Sequence, residues 1–170
     1  MTTLLPMDIH IRQATKNDLE AILHIINHAI LHTTAVYDYK PRTLAYQQAW
    51  FEKKQADNMP VLVAEHNNQT IGFGSYGIFR PWEGYRFSAE HSIYVSHEFR
   101  GQGIGGKLLE RLITLARDQH FHTIIAGIDA ENKSSYTFHQ KYGFVEVGRF
   151  QEVGYKFDKW LDLVFMQLML

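Results

Sequence analysis

The chain has 170 residues, 45% hydrophobic and 21% charged, which suits a single globular domain over 1–170, with its core from about residue 8. A formal net charge of −1 and a pI near 6.8 supply neither a basic field for nucleic acid nor an acidic tail for basic partners. Cysteine is absent, which excludes disulfides, thiolate metal sites and a cysteine nucleophile.

Met1–Asp8 lacks the basic and apolar stretches of a secretory leader, and no run of about 18 apolar residues exists, so a cytoplasmic protein without a membrane partner is expected. Ile9-x-Ile11 predicts a short strand. Thr15-x-x-Asp18 resembles a capping box opening a helix with Leu19, Ile22, Leu23, Ile26 and Ile30 on its core face. A second helix is predicted near Thr43–Ala56, with Leu44, Trp50 and Phe51 apolar, stopped by Asn58–Pro60. Val61–Glu65 and Ile71–Tyr76 flank His66-Asn67-Asn68-Gln69, a hairpin signature. Phe87–Val95 reads as a strand, Gly105–His120 as a long helix with Leu108, Leu112, Leu115 and Ala116 inward, and Thr123–Ile128 as a buried strand. Ser134–Tyr142 is a short helix stopped by Gly143, and Phe144–Gly148 and Trp160–Leu168 are two strands joined by a long loop. The predicted order is β-α-α-β-β-β-α-β-α-β-β.

Between the strand ending at Val95 and the helix from Gly105 lies Arg100-Gly101-Gln102-Gly103-Ile104-Gly105-Gly106. Four glycines in six positions let the backbone turn sharply, leaving amide N–H groups and the positive end of a helix dipole facing one point. The ligand there is expected to be an anion. Two spellings compete. Gly101-x-Gly103-x-x-Gly106, with Asp129 further on at a strand end, fits a dinucleotide fingerprint and a nicotinamide-dependent oxidoreductase. Against it, five residues from Ser96 to Arg100 separate strand from glycines, and one crossover is too few for a doubly wound sheet. The other spelling, Arg100-x-x-Gly103-x-Gly105, resembles the signature with which GNAT acetyltransferases hold the pyrophosphate of acetyl-CoA.

The element order also resembles the GNAT fold, an α/β (α+β) arrangement with one mixed, mostly antiparallel sheet flanked by helices. Asn27–Ala35, Phe79–Tyr85, Glu90–Val95, Asn132-x-x-Ser135, His139-x-x-x-Gly143-Phe144 and Gly154-x-Lys156-x-x-x-Trp160-Leu-Asp162 are similar to the phosphinothricin and methionine sulfoximine (or methionine sulfone) acetyltransferase branch. The resemblance implies acetyl-CoA as cosubstrate, no metal, direct transfer to the amino group of a small amino-acid-like substrate in a ternary complex, and a homodimer.

Glu90 is a carboxylate in an apolar strand ten residues before the cradle, open from spacing alone to a catalytic or a solvent-facing role; the resemblance makes it the base that takes the amine proton. The resemblance puts His139 where many family members carry a tyrosine acid, and a histidine can serve there, although a helix-surface role is equally open. For the cofactor, Ile93, Tyr94 and Val95 are expected to pair with the pantetheine arm through their backbone, and Arg100, Gly101, Gln102, Gly103, Ile104, Gly105 and Gly106 to hold the phosphates. Asn132 reads as an N-cap, which the resemblance extends to the pantetheine arm, and Lys141 enters by resemblance alone. The expected substrate contacts are Arg80 as a forked carboxylate clamp, Pro81, Trp82 and Tyr85 as loop walls, and Glu90, His91 and Ser92. His24, His28 and His32 share a helix face but lack the company of a metal site. A non-catalytic acyl-CoA-binding module is the remaining alternative; it needs the cradle but neither Glu90 nor Arg80.

Overall fold

The computed structural model describes residues 7–170; most of the Met1–Asp8 reading falls outside the described residues. Strand β1 (His10–Gln13) leads through a 3-10 turn at Lys16–Asp18 into α1 (Leu19–His32), followed by α2 (Leu44–Ala56), β2 (Val61–His66), β3 (Gln69–Ile78) and β4 (Ser88–Val95). Helix α3 (Ile104–Asp118), β5 (Thr123–Asp129), α4 (Lys133–Lys141), β6 (Val145–Lys156) and β7 (Lys159–Met169) complete the chain. One seven-stranded sheet runs in the order β1-β2-β3-β4-β5-β7-β6, and β4–β5 is its single parallel pair.

Alternation along the strands divides the core into two layers. Val61, Val63 and Phe73 meet Leu19, Ile22, Ile25, Ile26 and Ile30 of α1 and Phe51 of α2. Leu62, Ala64, Tyr76 and Ala89 meet Ile104, Leu108, Leu109 and Leu112 of α3 on the opposite face. Fully burying one such aliphatic side chain contributes about 1.5–3 kcal/mol. Gly72 and Gly74 let α3 lie close, since a Cβ at Gly74 would stand 3.0 Å from Leu112.

The capping box at Thr15 forms on the 3-10 turn, and its Asp18 does more than cap. The carboxylate also receives both Nη atoms of Arg12, at 2.8 and 2.9 Å, and the Thr70 hydroxyl at 2.7 Å, tying α1 to β1 and β3. Leu44 departs from expectation: it is 36% exposed, because α2 packs through Gln47 and Phe51.

The predicted long loop between the last two strands does not exist. Strand β6 continues to Lys156, and Phe157 and Asp158, at φ 52° and 58°, form a two-residue turn into β7. A bulge interrupts β6, where Glu152 (φ 50°) donates its amide to Asp162 at 2.8 Å. The exposed, apolar outer residues of β6 obscure the alternation that marks a half-buried strand.

Candidate active site

Gly101 (φ +76°) and Gly103 (φ +78°) both adopt the left-handed conformation, turning the chain so that α3 starts at Ile104. No side chain caps this helix, and the amides of Ile104, Gly105 and Gly106 donate to no acceptor among the described residues. They open onto a cleft of about 490 Å³ bounded by Ile93–Val95 of β4, Phe99–Gly101, the first turn of α3, Asn132 and Ser135 of α4, and Ala29, Thr33 and Ala35. Uncapped amides at the positive end of a helix dipole suit a phosphate. The glycines differ in purpose. A Cβ at Gly106 would lie 2.1 Å from the Tyr142 hydroxyl, so the Tyr142 side chain can lie where it does only over a glycine. A Cβ at Gly105 would meet nothing nearer than Phe138 at 3.6 Å, so packing within the protein does not require it.

Strands β4 and β5 pair over only three positions, Ser88↔Thr123, Ala89↔Ile124 and Glu90↔Ile125. Beyond Glu90 they splay, β4 staying on β3 as far as Val95 and β5 staying on β7 as far as Asp129. A cavity of about 150 Å³ fills the wedge, with His91–Tyr94 on one side and Ala126–Asp129 on the other. Glu90 is the last paired residue of β4, at the point where the strands part, and its side chain lines neither this cavity nor the 490 Å³ cleft. Burial pushes the Glu90 carboxyl above the ordinary range, against the opposing charge of Arg80, whose Nη1 lies 3.4 Å from Oε2. A half-buried carboxylate of raised basicity at the point where the strands part can accept a proton.

The acetyltransferase (GNAT) family profile matches residues 23–144. The chain belongs to the GNAT acetyltransferase family. It is 44% identical over 160 residues to the L-amino acid N-acyltransferase of Escherichia coli (strain K12), covering 94% of this chain and 93% of that one. It is 44% identical to the L-methionine sulfoximine/L-methionine sulfone acetyltransferase of Pseudomonas aeruginosa over 163 residues, 95% of either chain. A phosphinothricin acetyltransferase from Sinorhizobium meliloti, solved in complex with acetyl-CoA, superposes with a TM-score of 0.93 at 34% identity, covering 96% of this chain and 89% of that chain. The single parallel pair in this GNAT sheet leaves no doubly wound frame for the dinucleotide reading, and Asp129 accepts the amide of Glu131 at 2.8 Å.

Within the GNAT frame, Ile93, Tyr94, Val95, Arg100, Gly101, Gly103–Gly106 and Asn132 converge on one cleft. Gln102 and Lys141 are exposed and do not line it. Asn132 caps α4 by accepting the Ser135 amide at 3.1 Å. Tyr94 is half-buried, its hydroxyl pushed up to about 12 by desolvation. Arg80 and Pro81 lie along a larger cleft of about 900 Å³ between α2 and the end of β3, which also holds Trp50, Lys54 and Phe79. The Arg80 guanidinium stacks 4.0 Å above the Phe79 ring and donates to the Phe79 carbonyl at 2.6 Å. Trp82 and Tyr85 are 68% and 41% exposed and border neither cleft, so they do not form the loop walls expected of them.

His91 and His139 are both buried, with Nε2 atoms 3.2 Å apart. His139 Nδ1 lies 2.7 Å from the Ser135 carbonyl, which can only accept, so Nδ1 carries the proton and Nε2 accepts from His91. Burial lowers the pKa of both, that of His91 to about 3 with His139 contributing. Neutral His139 therefore presents no free N–H to the wedge. Thr33 and Ala35, with Ile25, Phe99 and Phe138, are among the cleft residues that sequence reasoning did not single out; Thr33 and Ala35 lie in an irregular connection, and the Asn27–Ala35 resemblance was their one signal. His28 stacks on His97 with ring centroids 4.2 Å apart, just before the cradle.

Proposed function

We propose that this chain catalyses acetyl-CoA-dependent N-acetylation of the amino group of a small amino-acid-like molecule of methionine sulfoximine, methionine sulfone or phosphinothricin type, by direct transfer in a ternary complex. The observation that carries the reading is the splay of β4 from β5 immediately beyond Glu90, with the uncapped α3 amides at the other end of the same strand. The substrates named for the 44% identical relatives support the amino-acid class.

When bound, acetyl-CoA supplies an activated acetyl thioester. In this proposal the amides of Gly101–Gly106 and the side chain of Arg100 hold its phosphates, while backbone groups of Ile93–Val95, unpaired on the β5 side, take the pantetheine arm as an added strand would. Gly105, which neither packing nor a left-handed φ requires, leaves room for that close approach. Arg80 clamps the substrate carboxylate and Glu90, directly or through a water, accepts the amine proton. In this proposal His139, which borders the wedge, acts as acid toward the departing thiolate by first taking a proton from solvent at Nε2, which breaks its hydrogen bond from His91, and then passing that proton to the sulfur. The absence of a resident metal and the cytoplasmic setting belong to this reading. So does the homodimer, which the exposed apolar residues Val145, Val147, Phe150 and Val153 along β6 support.

A panel of amines and amino acids incubated with acetyl-CoA, read by thiol release, tests the proposal. Turnover is expected with methionine sulfoximine or methionine sulfone, and Glu90→Gln is expected to reduce kcat by about 10²- to 10⁴-fold with CoA affinity nearly unchanged. Tight CoA binding without turnover of any amine would favour a non-catalytic acyl-CoA module. A thermal shift with NAD(H) and none with CoA would favour the oxidoreductase reading.

A further inference from the structure

Lys156, the last residue of β6, is 3% exposed and makes no ion pair among the described residues. Its ammonium instead donates to three main-chain carbonyls: Ile30 at 2.7 Å, Thr33 at 2.8 Å, and Val36. Ile30 lies in the last turn of α1, where carbonyls lack intrahelical donors and a positive charge is favoured. The other two lie in the connection to α2. Three N–H donors meet three acceptors, which is the condition under which a buried ammonium is tolerated without a counter-ion.

Two neighbouring residues reach the same connection independently. A Cβ at Gly154 would stand 2.5 Å from the Tyr37 ring, so that ring lies against bare backbone of the hairpin. The Tyr39 hydroxyl donates to the carbonyl of Tyr155. Residues 154, 155 and 156 thus hold successive points between 30 and 39. The segment they hold includes Thr33 and Ala35, which wall the 490 Å³ cleft, Ala35 also bordering the wedge.

We propose that Lys156 is a positioning residue for the cosubstrate: from the end of β6 it fixes the cleft wall at 33–36 and so sets the affinity for acetyl-CoA. The inference rests on the reading of this cleft as the acetyl-CoA site. Methionine approximates the lysine stem without its charge, so Lys156→Met leaves the three carbonyls without their donor. This variant is expected to raise the CoA dissociation constant about tenfold by calorimetry, the cost of losing a preorganised wall, with kcat at saturating acetyl-CoA within about twofold of wild type. Gly154→Ala, which displaces Tyr37 from the same strap, is expected to weaken CoA binding in the same sense.

Hydrogen exchange on the wild-type protein provides a test that needs no variant. Acetyl-CoA is expected to protect amides of residues 33–36 and 154–156 together, and protection confined to the cradle would overturn the proposal. Folded variants that bind CoA as the wild type does, with only a lower Tm, would also overturn it, leaving the acetyltransferase reading intact. A wild-type protein that fails to bind CoA would overturn both.

Discussion

Arg80 and Glu90 form one ion pair, Nη1 standing 3.4 Å from Oε2, so the proposed substrate clamp and the proposed base are each other's nearest charge. A substrate carboxylate that recruits the guanidinium draws it away from Glu90. Burial, the larger influence on this carboxyl, then acts unopposed and makes Glu90 a better proton acceptor. In the proposed mechanism, substrate binding and base activation would be coupled through this one contact.

Arg80→Ala is accordingly expected to do two things. Binding of amino-acid substrates should weaken by about 1.5–3 kcal/mol, the range for a hydrogen bond to a charged group, and esters should lose their disadvantage relative to free acids. The acidic limb of kcat/KM should move to higher pH, because the pair's lowering influence on Glu90 is gone; amines of different pKa separate this from ionisation of the substrate. An unchanged preference for acid over ester would move the clamp elsewhere, with Arg86 the next candidate.

Helices α1 and α3 are legible in the sequence because each lays one apolar face on the sheet: Leu19 to Ile30 and Ile104 to Ala116 repeat with the helical period, whereas α2 and α4 bury only one or two residues each. The cradle is legible because a left-handed backbone needs residues such as Gly101 and Gly103. The wedge is not. Where β4 and β5 cease to pair depends on β3 and β7 pulling them apart, and nothing local to Glu90 or Ile125 records it. The Phe157-Asp158 turn also escapes detection, since it lacks the asparagine and glycine that usually mark two positive φ angles. The partners of Lys156 lie more than a hundred residues away in sequence, beyond any periodicity.

Gly105 and Gly106 should separate ligand approach from packing. Gly105→Ala adds a methyl into ordinary contact distance of Phe138 within a helix, so stability should hold or rise, by up to about 1 kcal/mol, while CoA binding weakens. Gly106→Ala forces Tyr142 aside and should lower Tm. Paired denaturation and calorimetry check both. Unaltered CoA affinity in Gly105→Ala would remove this glycine from the cofactor contacts.

Asp18 should govern part of the acid stability. Burial pushes its carboxyl up, but Arg12, Thr15 and Thr70 together outweigh burial and hold it well below the usual carboxylate range. A depressed folded pKa means stabilisation that is complete above the ordinary carboxylate value and lost as pH falls through the folded one. Asp18→Asn should therefore cost about 2–3 kcal/mol at neutral pH, less than a fully buried pair because Arg12 and Glu65 remain partly open to solvent. The gap from wild type should narrow below about pH 4, measured by urea unfolding. A gap independent of pH would assign the loss to capping alone.

The His91–His139 pair should impose a second pH dependence, at milder acidity. Both rings are held neutral by burial, and each lies in the other's only direction of relief, Nε2 to Nε2. Their folded pKa values lie below the ordinary histidine value of 6.5, so their contribution is fully present above that pH and is lost as pH falls toward the folded values. Carboxylates at their ordinary values contribute little until about pH 5, and the raised Glu90 carboxyl acts in the opposite sense, so a loss of stability between about pH 6.5 and 5 belongs to histidines. That slope should approach 1.4 kcal/mol per pH unit for each proton excluded from the native state, on the order set by linkage. His28, lowered by burial and by His97, adds in the same sense, and His28→Gln measures its share. His91→Phe keeps an aromatic ring beside Phe144 and removes one titrating group, so its unfolding free energy should start lower at neutral pH, where His139 loses its donor, and fall less steeply with acid. A His91→Phe protein with the wild-type slope would mean that His91 accepts a proton in the folded state, and with it that the wedge is wetter than the buried imidazole pair implies.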